Sequence, residues 1–208
     1  VCIPNSLSYE QAACIPCAGV TAWHALITSG QIKAGDDVLI LGSGGVSVFG
    51  LQISLMNGAR VIAISSNDNK LEKMRNLGAS VIINYNKTLD WDQQILLETG
   101  NTGVDHVLEV VGEATMERSI NATAMQGSIS VVGDLCGTLS RPSAPKFGIR
   151  MSEIIVGSRT MMEQLVRAIT LHNKMPVIDR VFPFIELKDA LRYLERGVHV
   201  GKVVISFD

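Results

Sequence analysis

Short apolar runs, many of them β-branched, recur along the chain: Val38-Leu39-Ile40-Leu41, Val61-Ile62-Ala63-Ile64, Val81-Ile82-Ile83, Val107 to Val111, Ile129 to Val132 and Ile154-Ile155-Val156. Within each run apolar residues mostly follow one another instead of alternating with polar ones, which predicts strands covered on both faces. Between the first two runs, Val46, Phe49, Ile53 and Met56 are spaced 3, 4 and 3 apart and line one face of a helix. The next segment turns Leu71, Met74 and Leu77 inward and Lys70, Glu72, Lys73 and Arg75 outward, and Gly78 supplies its stop. Asp90 to Glu98 and Ala114 to Ala122 read as further helices. Alternating strands and helices predict an α/β fold with a doubly wound parallel sheet and right-handed crossovers.

The ends read differently. Glu10 to Ser29 reads as helix interrupted by Pro16 and Gly19, with Lys33-Ala34-Gly35-Asp36 as a turn before the first strand. From Met175 the chain carries an amphipathic helix (Leu187, Leu191, Leu194). It closes on Val203-Val204-Ile205, a strand expected to pair outside the main sheet, with a domain not in this chain. The first residue is Val1, which points to a piece of something longer. With 208 residues, 47% apolar and 18% charged, the chain is long enough for a substantial core. A net charge of −2 with acids and bases interspersed argues against nucleic acid or an anionic membrane as partner. No apolar run approaches the roughly 20 residues of a membrane span. Four cysteines in a chain of this length do not make a disulfide framework, and the first residues lack a signal-peptide pattern, so a cytoplasmic setting is expected.

The strongest chemical signal is Leu41-Gly42-Ser43-Gly44-Gly45-Val46-Ser47, placed where a strand ends and a helix begins. In that context a glycine pattern becomes a dinucleotide fingerprint. Gly42 permits the tight turn, and Gly44, lacking Cβ, lets backbone approach a pyrophosphate. The N–H groups of the helix start, at Gly45 and Val46, then bind the anion with help from the helix dipole. Ser47 takes the place of the third glycine, where a small residue suffices for helix–strand packing. A ligand-free glycine turn is the alternative.

NAD sites place a carboxylate about 20 residues on, at the end of the second strand, to hold the ribose hydroxyls. Here that strand ends Ser65-Ser66-Asn67, and Asp68 is expected to cap the following helix. Small hydroxyls at Ser65 and Ser66 leave room for a 2′-phosphate, and Lys70 can supply the opposite charge. This favours NADP(H) over NAD(H). An ordinary solvated lysine is the alternative at position 70.

Ala12-Ala13-Cys14-Ile15-Pro16-Cys17-Ala18-Gly19-Val20-Thr21-Ala22-Trp23, the glycine turn, Leu77-Gly78-Ala79 with Ile83-Asn84-Tyr85, Gly157-Ser158-Arg159 and Gly201-Lys202-Val203-Val204-Ile205 occur in this order. In them the chain resembles the medium-chain dehydrogenase/reductase superfamily, the zinc-type alcohol dehydrogenases and quinone oxidoreductases. The resemblance covers the C-terminal coenzyme-binding portion and not the GroES-like catalytic domain that precedes it there. It implies a connecting helical segment over 1–30, a Rossmann domain over 31–174 and a return segment over 175–208.

The resemblance further implies that Thr21 packs near the nicotinamide and that Tyr85 contacts the adenosine end. Val110, Val111 and Gly112, with Gly133 and Leu135, would border the cleft at the ends of the fourth and fifth strands. Gly157, Ser158 and Arg159 would end the sixth strand beside the nicotinamide, and Lys202 would reach back to the pyrophosphate. Core packing is the alternative for the apolar positions. Cys17 stands at the position of a catalytic zinc ligand in zinc-containing members; a buried cysteine in a zinc-free member is the alternative, and the lone CxxC lacks the second pair of a structural site. The four histidines form no visible cluster, and no Ser-His-Asp set stands out.

The function implied is the NADP(H)-binding part of an oxidoreductase that moves a hydride between nicotinamide and an alcohol, carbonyl or activated alkene. The isolated chain is expected to bind coenzyme and turn over little. A non-catalytic NADP(H)-binding redox sensor or scaffold is the rival; a methyltransferase fits the glycine turn less well. Family members commonly form homodimers edge to edge through the sixth strand, and Ile154-Ile155-Val156 would otherwise be a bare apolar edge.

Overall fold

The computed structural model describes residues 1–133 and 148–207. The first segment is helical almost throughout: α1 (Tyr9–Ala13), a π-helical turn over Ile15–Gly19, α2 (Val20–Trp23) and a second π-helical turn over His24–Ser29. Ser8 and Gln11 close a capping box at its start. Pro16, at the first turn of the π-helical stretch, has no N–H to lose there, so it widens the helix without breaking it.

The core alternation follows: β1 (Asp37–Leu41), α3 (Gly45–Met56), β2 (Arg60–Ser65), α4 (Asp68–Asn76), β3 (Val81–Asn84), α5 (Trp91–Glu98), β4 (Val104–Glu109), α6 (Glu113–Ala122), β5 (Thr123–Val131), β6 (Arg150–Glu153) and α7 (Arg159–His172). Six strands among the described residues form one parallel sheet in the order β3-β2-β1-β4-β5-β6. The order reverses between β1 and β4, so the crevice outside their carboxyl ends is where such a sheet receives a ligand.

The consecutive apolar residues are explained by two cores. Val38 and Ile40 of β1 face one, with Phe49, Leu51 and Ile53 of α3, while Leu39 and Leu41 face the other, with Trp91, Ile95, Met116 and Ile120. Each fully buried side chain of this size contributes about 1.5–3 kcal/mol. At the amino end of the sheet, Asp36 Oδ2 lies 2.9 Å from His106 Nε2, and Ser128 Oγ lies 2.7 Å from His106 Nδ1. Sequence spacing hides this Asp-His-Ser array; it joins the segments of β1, β4 and β5 at the end opposite the crevice.

Two elements differ from the sequence expectation. The sixth strand is Arg150–Glu153, and Ile154-Ile155-Val156 follows it: Ile154 is buried, Ile155 is exposed and Val156 has φ +50°. An edge strand covered on fewer sides takes polar residues, so a search for apolar runs places it too late. The closing strand, β8 (Lys202–Ser206), pairs in parallel with β7 (Ile178–Pro183) inside this chain. A 3₁₀ turn (Phe184–Glu186) and α8 (Leu187–Glu195) connect them.

This return unit is clamped to α4 by Asp179, which accepts from Lys73 Nζ (3.0 Å), Tyr193 Oη (2.7 Å) and Val200 N–H (3.2 Å). Burial pushes the Asp179 carboxyl up, but these donors outweigh it and hold it below the usual aspartate value. Its contribution to stability is therefore full above the unfolded value near pH 3.9 and is lost as pH falls through the lowered folded value. Asp179→Asn is expected to flatten that acid limb in melting curves between about pH 2 and 5; an unchanged limb would contradict the clamp.

Candidate functional site

The glycine turn lies at the carboxyl end of β1. Gly42 takes φ +75° and donates its N–H to Ile64 O, 2.8 Å, while Ser47 Oγ donates to Leu41 O, 2.7 Å. Ser47 thus ties the start of α3 back to the strand end. Gly44 precedes α3 with extended backbone (φ −75°, ψ −173°), and no side chain caps the helix, so its first amides, at Gly45 and Val46, have no side-chain acceptor. A Cβ at Gly44 would meet nothing within 4 Å. At Gly45 a Cβ would lie 2.6 Å from Lys202 Cδ and 3.2 Å from Ala18 Cβ, so the absence of a side chain there admits the Lys202 stem. Gly201 N–H donates to Ser43 O, 3.0 Å, and Gly201 bridges to Gly44. The turn, the connecting helix and the return unit therefore meet at one place.

At the end of β2, Ser65 is buried and Ser66 exposed. Asn67, not Asp68, caps α4, its side chain accepting from Lys70 N–H at 3.2 Å. Asp68 is the first helical residue, and its carboxylate accepts from Asn84 Nδ2 (2.7 Å) and Lys87 Nζ (2.6 Å). It is thus engaged on the β3 side. Lys70 Nζ donates to the Gly197 carbonyl. Burial lowers the Lys70 pKa, with Lys73 adding to it and Asp179 opposing. Tyr85 is half-buried against the second core.

At the end of β4, Glu109 is fully buried, a feature that the apolar reading of Val107 to Val111 passes over. Its Oε1 accepts from Val111 N–H (2.9 Å), Gly112 N–H (3.1 Å) and Thr115 Oγ1 (2.8 Å), and Oε2 from Ser119 Oγ (2.5 Å). One carboxylate thus shapes the crevice wall at Val110 to Gly112. Gly133 packs so closely that a Cβ would lie 1.9 Å from Val110 O. Leu135 lies outside the described residues.

Beyond β6, the carbonyl of Val156 is held by His24 Nδ1 at 2.8 Å. Gly157 packs on Val20, Ser158 caps α7 by accepting from Met161 N–H (3.2 Å), and Arg159 pairs with Glu163 (2.8 Å). Gly157, Ser158 and Arg159 therefore lead into α7 instead of ending the strand. Thr21 is buried, and its hydroxyl donates to Cys17 O, 2.8 Å. Cys17 is exposed; Cys14 is buried, its thiol donating to Glu10 O. Burial pushes the Cys14 thiol up, against the pull of Lys202.

Gly44, Gly45, Lys202 and, through Gly197, Lys70 are brought to one border of the crevice; Thr21 and Gly157 come together at Val20; Ser158 and Arg159 are occupied within α7. The uncapped amides, the open space above Gly44 and a buried unpaired nitrogen on His199 fit a dinucleotide. Zinc is different: among the described residues no three His, Cys, Asp or Glu side chains could hold a metal ion, and Cys17 alone is one donor of a set of four.

A 3-2-1-4-5-6 parallel sheet with an uncapped glycine turn at its switch point defines a Rossmann-type, dinucleotide-binding α/β protein. Residues 45–171 match the zinc-binding dehydrogenase family, and the chain belongs to that family. It is similar to a zinc-type alcohol dehydrogenase-like protein of Schizosaccharomyces pombe, 42% identical over 214 residues, covering 99% of this chain and 62% of that protein. Among solved structures, it is similar to a protein of Sinorhizobium meliloti 1021 assigned as an alcohol dehydrogenase (TM-score 0.94, 43% identity, 100% of this chain and 61% of that one). It is also similar to an NAD-dependent alcohol dehydrogenase (TM-score 0.90, 33% identity, 100% and 62%). The chain thus spans about three-fifths of the length of these relatives.

Proposed function

We propose that residues 31–174 form the coenzyme-binding domain of an oxidoreductase, with 1–30 as connecting helix and 175–208 as return segment. The observation that carries this reading is the uncapped start of α3 beneath an open Gly44. Gly42, Gly44, Gly45 and Val46 hold the pyrophosphate through backbone, and Lys202, its stem laid over Gly45, places its ammonium beside it. Tyr85 lies toward the adenosine end. Val110, Gly112 and Gly133 line the middle of the crevice, and Thr21, Gly157, Ser158 and Arg159 its nicotinamide end. When bound, the coenzyme supplies hydride transfer with an alcohol, carbonyl or activated alkene; the chain's own residues bind and orient it. Zinc, in a longer enzyme, would find the Cys17 thiol here. The turnover of the isolated chain is expected to be negligible, which NADPH oxidation assays with carbonyl substrates check.

The preferred coenzyme is NADP(H). No unengaged carboxylate stands at the end of β2, since Asp68 is bonded to Asn84 and Lys87, while Lys70 lies one helical turn on. Lys70→Ala is expected to weaken NADPH binding about tenfold, as loss of a charge-assisted phosphate contact does, and to leave NADH within about twofold. Calorimetric titration checks both. Equal affinities for the two coenzymes, unmoved by the substitution, would contradict the preference.

The protein is a cytoplasmic homodimer in this reading, joined at the edge of the sheet. β6 has a strand neighbour on one side, β5, in the sheet order. A monomer in sedimentation at micromolar concentration would remove the dimer. No helix among the described residues is long and apolar enough to cross a membrane.

A further inference from the structure

Among the described residues, His199 Nδ1 is the buried side-chain nitrogen or oxygen without a hydrogen-bond partner. Unpaired buried polar atoms are rare in native proteins and call for an explanation in strain, chemistry or a ligand. The position of this one is informative. His199 lies between Gly197, whose carbonyl accepts from Lys70, and Gly201, which bonds to Ser43 and bridges to Gly44. The imidazole thus sits on a stretch of backbone that runs from the adenosine side of the crevice to the phosphate turn.

The charged groups that act on it come from three elements: Lys70 of α4, Lys202 of β8 and Asp179 of β7. Asp179 is already shared among Lys73, Tyr193 and Val200 N–H. Burial, then Lys70 and Lys202, push the imidazole pKa down, and Asp179 opposes them. A half-buried ring with an unpaired nitrogen, in the field of two lysines and of an aspartate already shared among three donors, is a place that an anion would complete.

We infer that His199 is a further ligand-contacting residue of the dinucleotide site, donating a hydrogen bond to a phosphate oxygen of the coenzyme, so that coenzyme binding draws a proton from solvent onto the ring. This rests on the coenzyme reading above. The shared chemistry is a phosphate, either the 2′-phosphate or the pyrophosphate. The sign is fixed by linkage: an anion raises the ring's pKa from its lowered value, so affinity rises as pH falls through the window between the ring's lowered free value and its raised bound value.

The test is calorimetric titration of the 208-residue chain and of His199→Gln with NADPH and with NADH, from pH 6 to pH 8, in buffers of different ionisation enthalpy. A 2′-phosphate titrates near pH 6 itself, so the quantity read is the difference between the two proteins. The unsubstituted chain is expected to take up a fraction of a proton more than His199→Gln. Its NADPH affinity at pH 6 is expected to exceed that of the variant by about tenfold, with the gap closing toward pH 8. Melting temperatures are expected to stay equal, because the unpaired nitrogen holds nothing in the folded chain. Linkage with both coenzymes assigns the pyrophosphate, and linkage with NADPH alone assigns the 2′-phosphate. Tight binding by both proteins with the same proton uptake would overturn the assignment and leave the coenzyme reading standing, as would a variant that melts lower with its proton linkage intact. Failure of both coenzymes to bind the unsubstituted chain would overturn both the assignment and the coenzyme reading.

Discussion

Glu109→Ala is expected to lower the stability of the chain by about 3–5 kcal/mol, close to 10 °C in melting temperature for a protein of this size. The carboxylate is fully buried and accepts from Val111 N–H, Gly112 N–H, Thr115 and Ser119. Alanine removes the acceptor of these donors and leaves two backbone amides and the Ser119 hydroxyl to find water in a site that excludes it, while the Thr115 hydroxyl keeps Gly112 O at 3.3 Å. Two consequences separate this from an ordinary cavity effect. Glu109→Gln, which keeps the shape but turns one acceptor into a donor facing Ser119 or the amides, is expected to recover only part of the loss. Coenzyme affinity is expected to fall along with stability, because Val110 to Gly112 form a wall of the crevice. Urea unfolding with all three proteins checks the order; a change under 1 kcal/mol for alanine would contradict the assigned role.

Gly44→Val is expected to do the reverse, costing only about 1 kcal/mol of stability through the loss of a glycine N-cap while weakening NADPH binding by about 100-fold or more. Its backbone lies in the extended region open to any residue, and a Cβ there meets nothing within 4 Å. The added side chain would instead occupy the space through which an anion reaches the first amides of α3. Gly50→Ala supplies the contrast. There a Cβ would lie 2.4 Å from Leu108 Cδ2, so that variant is expected to lose about 1–3 kcal/mol by overpacking while its amides still bind. Melting curves paired with coenzyme titrations read out both halves. Unaltered binding by Gly44→Val would place the anion elsewhere.

Much of the architecture can be read from the chain because the central strands are buried on two faces. Val38 to Leu41 and Val61 to Ile64 have no solvent side to mark with a polar residue, so they stand out as unbroken apolar runs. The stop of α4 at Gly78, with φ +117°, was legible for a related reason: a position past a helix end that needs that backbone favours glycine. Strands at edges are harder. Arg150–Glu153 and Ile178–Pro183 are exposed along much of their length and carry charges, so no apolar run marks them.

The site divides the same way. Its backbone half was legible, since glycines at fixed spacing after a strand have few other uses. Its side-chain half depends on contacts between distant segments. Lys70 meets Gly197, Lys202 crosses Gly45, and His199 is left between them. Nothing local in Gly197-Val198-His199-Val200-Gly201 announces that juxtaposition. Glu109 did carry a usable signal, a carboxylate inside an apolar run at a strand end, which asks for buried donors to receive it. Asn67 and Asp68 are adjacent and both suit an N-cap, so local sequence does not distinguish them.

The most direct measurement is a crystal structure of the 208-residue chain grown with NADPH. The account predicts pyrophosphate oxygens within hydrogen-bonding distance of the Gly45 and Val46 amides, with the Lys202 ammonium beside them. A coenzyme bound elsewhere on the sheet, with those two amides turned toward solvent or protein, would contradict it.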